Sequence, residues 1–91
     1  MLEDVKKALR VTNSAFDTEI SDLIDAAKLD LRLAGVYFVD ENIDALIRRA
    51  IITYCKAYFG YDNKEAERFE ASYVMLKQHL SLAGDYHAPL V

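Results

Sequence analysis

Two histidines, one cysteine, four serines and a run of carboxylates are the residues of this 91-residue chain whose types could do chemistry. His79 and His87 stand eight residues apart across Gly84, with no cysteine pair nearby. A zinc site needs three or four convergent ligands at about 2.0–2.3 Å, so the pair predicts no metal, and His79 reads as a helix-surface residue. Cys55 has no partner for an internal disulfide and lies in an apolar run, where a small buried hydrophobe is expected. Ser14, Ser21, Ser72 and Ser81 stand in no nucleophile-elbow context, and no glycine-rich phosphate loop is present. Glu19, Asp22, Asp25 and Asp30 are spaced to spread over the polar face of a helix, not to converge on one point. The chain is therefore expected not to be an enzyme and to carry no cofactor or metal.

Composition narrows the reading. Apolar residues make up 53% of the chain, above the ~45–50% of ordinary soluble domains, an average that counts glycine as well. One domain of this size buries only roughly 60–65% of its unfolded surface. The apolar excess must then enrich the core or meet a partner. Charged residues are 29%, mixed in sign, with a formal net charge of −4; nucleic-acid binding normally needs a concentrated basic face. No apolar run reaches the ~18 residues of a membrane-spanning helix. The start, Met1 to Lys7, holds two acids and no apolar segment, unlike a secretory signal. Synthesis in a cytoplasm fits these features.

The elements that position these residues are helical. Strand alternation, low complexity and internal repeats are all missing, and the pattern predicts an all-α fold, a small four-helix bundle with short connections. A helical domain is expected over residues 1–84 and a short C-terminal tail over 85–91. Gly35, Gly60 and Gly84 each follow a helix-like segment, where a left-handed C-cap is wanted. The first helix, Leu2 to about Arg10, sets Leu2, Val5 and Leu9 on one side. A loop follows, with Asp17 as a plausible N-cap. The second helix runs to about Ala34, with Ile20, Leu23, Ile24, Ala27, Leu31 and Ala34 as its core stripe. Asp40 to Asn42 supply caps for a third helix reaching Phe59, whose main face carries Ile43, Leu46, Ile47, Ala50, Tyr54 and Tyr58. Ile52, Cys55 and Phe59 on its other side make it apolar nearly all round, and hence central. The fourth starts after Asp62 or Asn63 and ends near Ala83, with a coiled-coil-like seam of Ala66, Phe69, Tyr73, Leu76, Leu80 and Ala83.

Two helices carry apolar residues off these stripes. Ala26, Leu29 and Leu33 centre well away from Ile20 and Ile24, and Ala71, Met75 and Leu82 form a similar second row. One small bundle cannot bury two faces of both outer helices, and contiguous exposed apolar surface usually marks an interface. Tyr37 and Phe38, in the apolar connector from Gly35 to Val39, join these rows as interface candidates, lying across a helix end or a neighbouring subunit. A small helical regulatory or DNA-binding module is the alternative. Against it, the turn between helices one and two is longer than the three or four residues of a helix-turn-helix. From Asp17 to Arg32, five acids also stand against Lys28 and Arg32. Arg48-Arg49 is an ordinary surface pair.

Three stretches carry a resemblance. They are Leu2-x-x-Val5-Lys6-x-x-Leu9; Phe16-Asp17-x-x-Ile20-x-x-Leu23-Ile24-x-Ala26-Ala27; and Ile43-x-x-x-Ile47-x-x-Ala50-Ile51-x-x-Tyr54-x-x-x-Tyr58-Phe59-Gly60. In this order the chain resembles the head–tail connector, or head-completion adaptor, proteins of tailed phages and prophages. The stretch from Glu67-Arg68-Phe69-Glu70 through Ser72-Tyr73, Leu76 and His79-Leu80-Ser81-Leu82 to Gly84-Asp85-Tyr86 is similar to the C-terminal part of members from phages of Gram-positive bacteria. The resemblance implies a four-helix subunit without catalytic residues that assembles with itself into a ring beneath the portal protein after DNA packaging, a dodecamer being one size it allows. The ring would extend the DNA channel to a stopper or tail-completion protein, with DNA passing unheld and no membrane involved. It would sit at the head–tail junction of the virion, after synthesis in the bacterial host cytoplasm. It also implies a C-terminal segment docking on the portal, here Tyr86, His87, Pro89, Leu90 and Val91, which is short for an embracing tail.

Overall fold

A computed structural model describes residues 1–60 and 64–88, which form α1 (Leu2–Leu9), α2 (Asp17–Leu33), α3 (Ala45–Tyr58) and α4 (Ala66–Leu82), followed by a single 3-10 turn at Gly84–Tyr86. The fold is an all-α four-helix bundle, with no strand among the described residues. Helix α3 is the hub: α1, α2 and α4 each pack against it. Its Ile47, Ala50, Ile51 and Cys55 are fully buried, meeting Val5 of α1, Ile20, Ile24, Ala27 and Leu31 of α2, and Tyr73 and Leu80 of α4 in one core.

The buried face of α3 is rotated from the face drawn on its periodicity. Thr53, Cys55 and Ala57 are inside, whereas Leu46, 51% exposed, and Tyr58 are not. Both exposed residues lie in terminal turns, which neighbours cover least, and a hub with three partners buries a broader sector than one stripe.

The helix ends also differ from the capping patterns in the sequence. Asp17 is the first residue of α2, not its cap, because its carboxylate reaches back 2.8 Å to Lys6 of α1. The cap of α3 is Asp44, whose carboxylate accepts the Ile47 amide at 2.9 Å. Asp40 cannot serve, because the Asn42 amide bonds the Val39 carbonyl in a turn and the Asp40 carboxylate faces Lys28 and Arg32. Glu65 precedes α4; the expected caps Asp62 and Asn63 lie outside the described residues.

Gly35 behaves as its position predicts. At φ +91 it lets its own amide bond the Arg32 carbonyl and the Val36 amide bond the Leu31 carbonyl, closing α2 in a Schellman motif. Val36 and Leu31, both buried, make the apolar contact that accompanies it. Helix α1 closes the same way without a glycine: Arg10 takes φ +61, and the Arg10 and Val11 amides bond the Lys7 and Lys6 carbonyls. Gly60 is also left-handed, at φ +87. Gly84 is not. Ala83 leaves α4 extended, and Gly84 opens the 3-10 turn instead.

Candidate functional site

The surface of interest is built from what the bundle leaves uncovered. Along α2, successive residues advance 100° round the axis, so a core stripe through Ile20, Ile24, Ala27 and Leu31 puts Leu29 and Leu33 on the opposite side. They are 60% and 78% exposed, with Ala26 half-buried beside them. On α4 the stripe through Tyr73 and Leu80 leaves Ala71, Met75 and Leu82 outward, the last two 60% and 82% exposed. Both second rows therefore face away from the core.

The connector after α2 splits its aromatic pair. It runs extended, so alternate side chains point to opposite sides: Val36 and Phe38 are buried, Tyr37 and Val39 exposed. Phe38 has to be withdrawn from the interface candidates, since at 8% exposure it belongs to the core. The Arg32 guanidinium covers its ring at 4.3 Å and donates to its carbonyl at 3.3 Å.

The start of the tail is fastened to the body. The Tyr86 hydroxyl donates to Asp44 Oδ2 at 2.6 Å, and the Tyr37 amide donates to the Tyr86 carbonyl. That bond pushes the Tyr86 phenol up to about 12. Burial works against the charge of Asp44, yet the Ile47 amide, the Tyr86 hydroxyl and the Leu46 amide together hold its carboxyl below the usual value. His87 is exposed, with Nε2 2.9 Å from the Ser81 carbonyl oxygen. Pro89, Leu90 and Val91 lie outside the described residues.

A depression runs beside the α4 row. Between α3 and α4 a groove of about 390 Å³ is lined by Arg49, Thr53, Lys56, Phe69, Ser72, Met75, Leu76 and His79. A smaller continuation involves Met75, Gln78, His79 and Leu82. The Lys56 ammonium lies 5.4 Å from the centre of the Phe69 ring.

Comparison with known families decides the class to which this arrangement belongs. A family described as phage connector protein matches residues 1–87, nearly the whole chain. The chain belongs to the phage connector protein family. No curated protein and no solved structure matches it. Membership makes it a structural component of phage assembly in general terms.

In this connector chain Cys55 and Asp30 are tied into structure. Burial pushes the Cys55 thiol up to about 12, far from a reactive thiolate. Asp30 accepts from the Tyr73 hydroxyl at 2.5 Å and from Lys77 at 3.0 Å, joining α2 to α4. Among the described residues no group of three or more His, Cys, Asp or Glu could hold a metal ion, and no helix is long and apolar enough to cross a membrane. The groove was the feature sequence reasoning missed. Its signal was present but faint: Arg49 and Lys56 are two helical turns apart on α3, as are Ser72 and His79 on α4.

Proposed function

We propose that this connector is a ring-forming subunit of the head–tail junction. It sits beneath the portal protein, extends the DNA channel and receives a stopper or tail-completion protein, so its place is the virion after synthesis in the host cytoplasm. The family match across residues 1–87 carries the reading. Two outward apolar rows on different helices support a ring, because head-to-tail closure requires each subunit to present two unlike patches. Leu29 and Leu33 on one side, with Met75 and Leu82 on the other, are the proposed subunit contacts. Tyr37 is a further proposed subunit contact, and the tail residues Tyr86, His87, Pro89, Leu90 and Val91 are proposed to face the portal. The acidic balance of the chain suits a conduit, since basic walls would hold DNA instead of letting it slide. Native mass spectrometry with and without the cognate portal tests this: a multi-subunit ring, or a portal-bound assembly, is expected. A small fixed oligomer with salt-dependent DNA affinity would replace the connector role with a regulatory one.

A further inference from the structure

We infer that the Tyr86–Asp44 hydrogen bond is a latch that holds the start of the tail on its own subunit until portal docking releases it. The inference rests on the reading that the tail faces the portal, and it gives that contact a closed and an open state. Every polar group of Tyr86 is engaged inside the subunit in the closed state. Its amide donates to the Ala83 carbonyl, its hydroxyl donates to Asp44 Oδ2 at 2.6 Å, and its carbonyl accepts the Tyr37 amide. His87 is held in the same way: its amide donates to the Gly84 carbonyl at 3.2 Å, and Nε2 lies 2.9 Å from the Ser81 carbonyl oxygen. Two residues proposed to meet the portal are thus turned back on α4, the α2–α3 connector and the start of α3. They can offer these donors to a portal only by letting go.

The geometry makes opening easy. Asp44 is exposed and Tyr86 only half-buried, so water can replace the bond between them. A pocket of about 200 Å³ beside the ring, between Phe38, Asn42, Ile47 and Asp85, leaves it unenclosed on that side. The two carboxylate oxygens of Asp44 also act separately: Oδ1 accepts the Ile47 amide at the cap of α3, and Oδ2 holds Tyr86. The latch can therefore open without uncapping α3. Release frees the chain from Gly84 to His87, which adds about 13–14 Å of reach at about 3.3–3.6 Å per extended residue. The apparent affinity for portal is then the intrinsic affinity scaled by the fraction of subunits that are open.

Two variants open the latch from opposite sides, each checked for helicity by circular dichroism. Tyr86→Phe keeps the ring and removes the hydroxyl; Asp44→Ser keeps a capping oxygen for α3 but is too short to hold Tyr86. Hydrogen exchange at the Tyr37 amide reads the latch in the free subunit, because that amide bonds the Tyr86 carbonyl. In wild type Tyr37 should exchange faster than the amide of Ile51, buried in α3, since it opens locally. In both variants Tyr37 should exchange about tenfold or more faster again, the size of a charge-assisted hydrogen bond. Titration with the cognate portal then reads the release. Asp44→Ser leaves every tail residue in place, so its dissociation constant should fall by about the factor by which its Tyr37 exchange rises. Tyr37 exchanging no faster than Ile51 in wild type, or unchanged in both folded variants, would overturn the latch. So would faster exchange with portal affinity unchanged or weakened, which makes the bond a fixed fastening. If Asp44→Ser loses helicity, Asp44→Asn takes its place: it keeps the capping oxygen and holds Tyr86 about half as strongly, and the same match of the two factors is expected. Wild type and variants that all fail to bind portal remove the portal-facing tail, and the release with it. A wild type that binds as tightly as the position-44 variant removes the release alone.

Discussion

Single side chains in this protein divide sharply by what surrounds them. Ile47 is fully buried at the centre of the hub helix, while its neighbour Leu46 is half exposed. Truncating Ile47 to Ala removes apolar contacts and leaves a cavity, so it should cost about 2–5 kcal/mol, against less than ~1 kcal/mol for Leu46→Ala. Urea denaturation of the pair measures this directly, and equal losses would mean the hub is oriented differently. Acid sensitivity is a second residue-scale property. Asp44 and Asp30 are both held below the ordinary carboxyl value: in each, burial opposes the charge and hydrogen bonds, with Lys77 added at Asp30, outweigh it. A carboxyl with a depressed folded pKa binds its proton less readily folded than unfolded. Its contribution is thus complete above the unfolded value of about 3.9, and is lost as pH falls through the lower folded value. Asp44→Asn keeps a capping oxygen for Ile47 but cannot titrate. Its stability should fall less steeply with acid than that of wild type, in denaturation curves taken across the acid range. Parallel curves would show that Asp44 contributes nothing to acid unfolding.

At the scale of elements, the helix ends make the test cases. Gly35 and Arg10 occupy equivalent places in two closures of the same kind, both left-handed. An added Cβ at Gly35 would meet no atom within 4 Å, so Gly35→Ala isolates the backbone term. It should lower stability by about 1–2 kcal/mol. The opposite change at Arg10 relieves that cost but loosens the unfolded chain, and Arg10→Gly should raise stability by no more than about 1 kcal/mol. Thermal melts of both variants check the signs. The closure of α1 was invisible in the sequence because the residue bearing it is not glycine; that of α2 was legible because Gly35 is.

The whole molecule combines a filled core with apolar rows that its own helices do not cover. Leu29→Lys and Met75→Glu each place a charge on an exposed row, so helicity and melting should change little, within about 0.5 kcal/mol. Ring formation or head completion should fail, because the same fault recurs at every junction. Unfolding of either variant would put its residue in the core; normal assembly would move the subunit contacts elsewhere. Net charge belongs to this scale as well. With −4 overall, few phosphates can be neutralised, so duplex DNA should bind weakly at physiological salt. Fluorescence anisotropy across a salt series measures this, and submicromolar affinity with a steep salt slope would return the regulatory reading.

Four helices, the central place of the third, the buried cysteine and the outward second rows of α2 and α4 were all legible in the sequence. Each depends on periodicity and composition, which act locally and leave a mark every three or four residues. The capping of α3 by Asp44, the burial of Phe38, the fastening of Tyr86 and the α3–α4 groove were decided only by tertiary structure. In each, the partners are set by how helices pack, not by spacing along the chain. The caps expected from Asp40 to Asn42 gave way to Asp44, because Lys28 and Arg32 claim Asp40. Phe38 could have gone with Tyr37 until the extended connector turned alternate side chains inward. Arg49 and Lys56 became the rim of a groove only when α4 lay alongside α3.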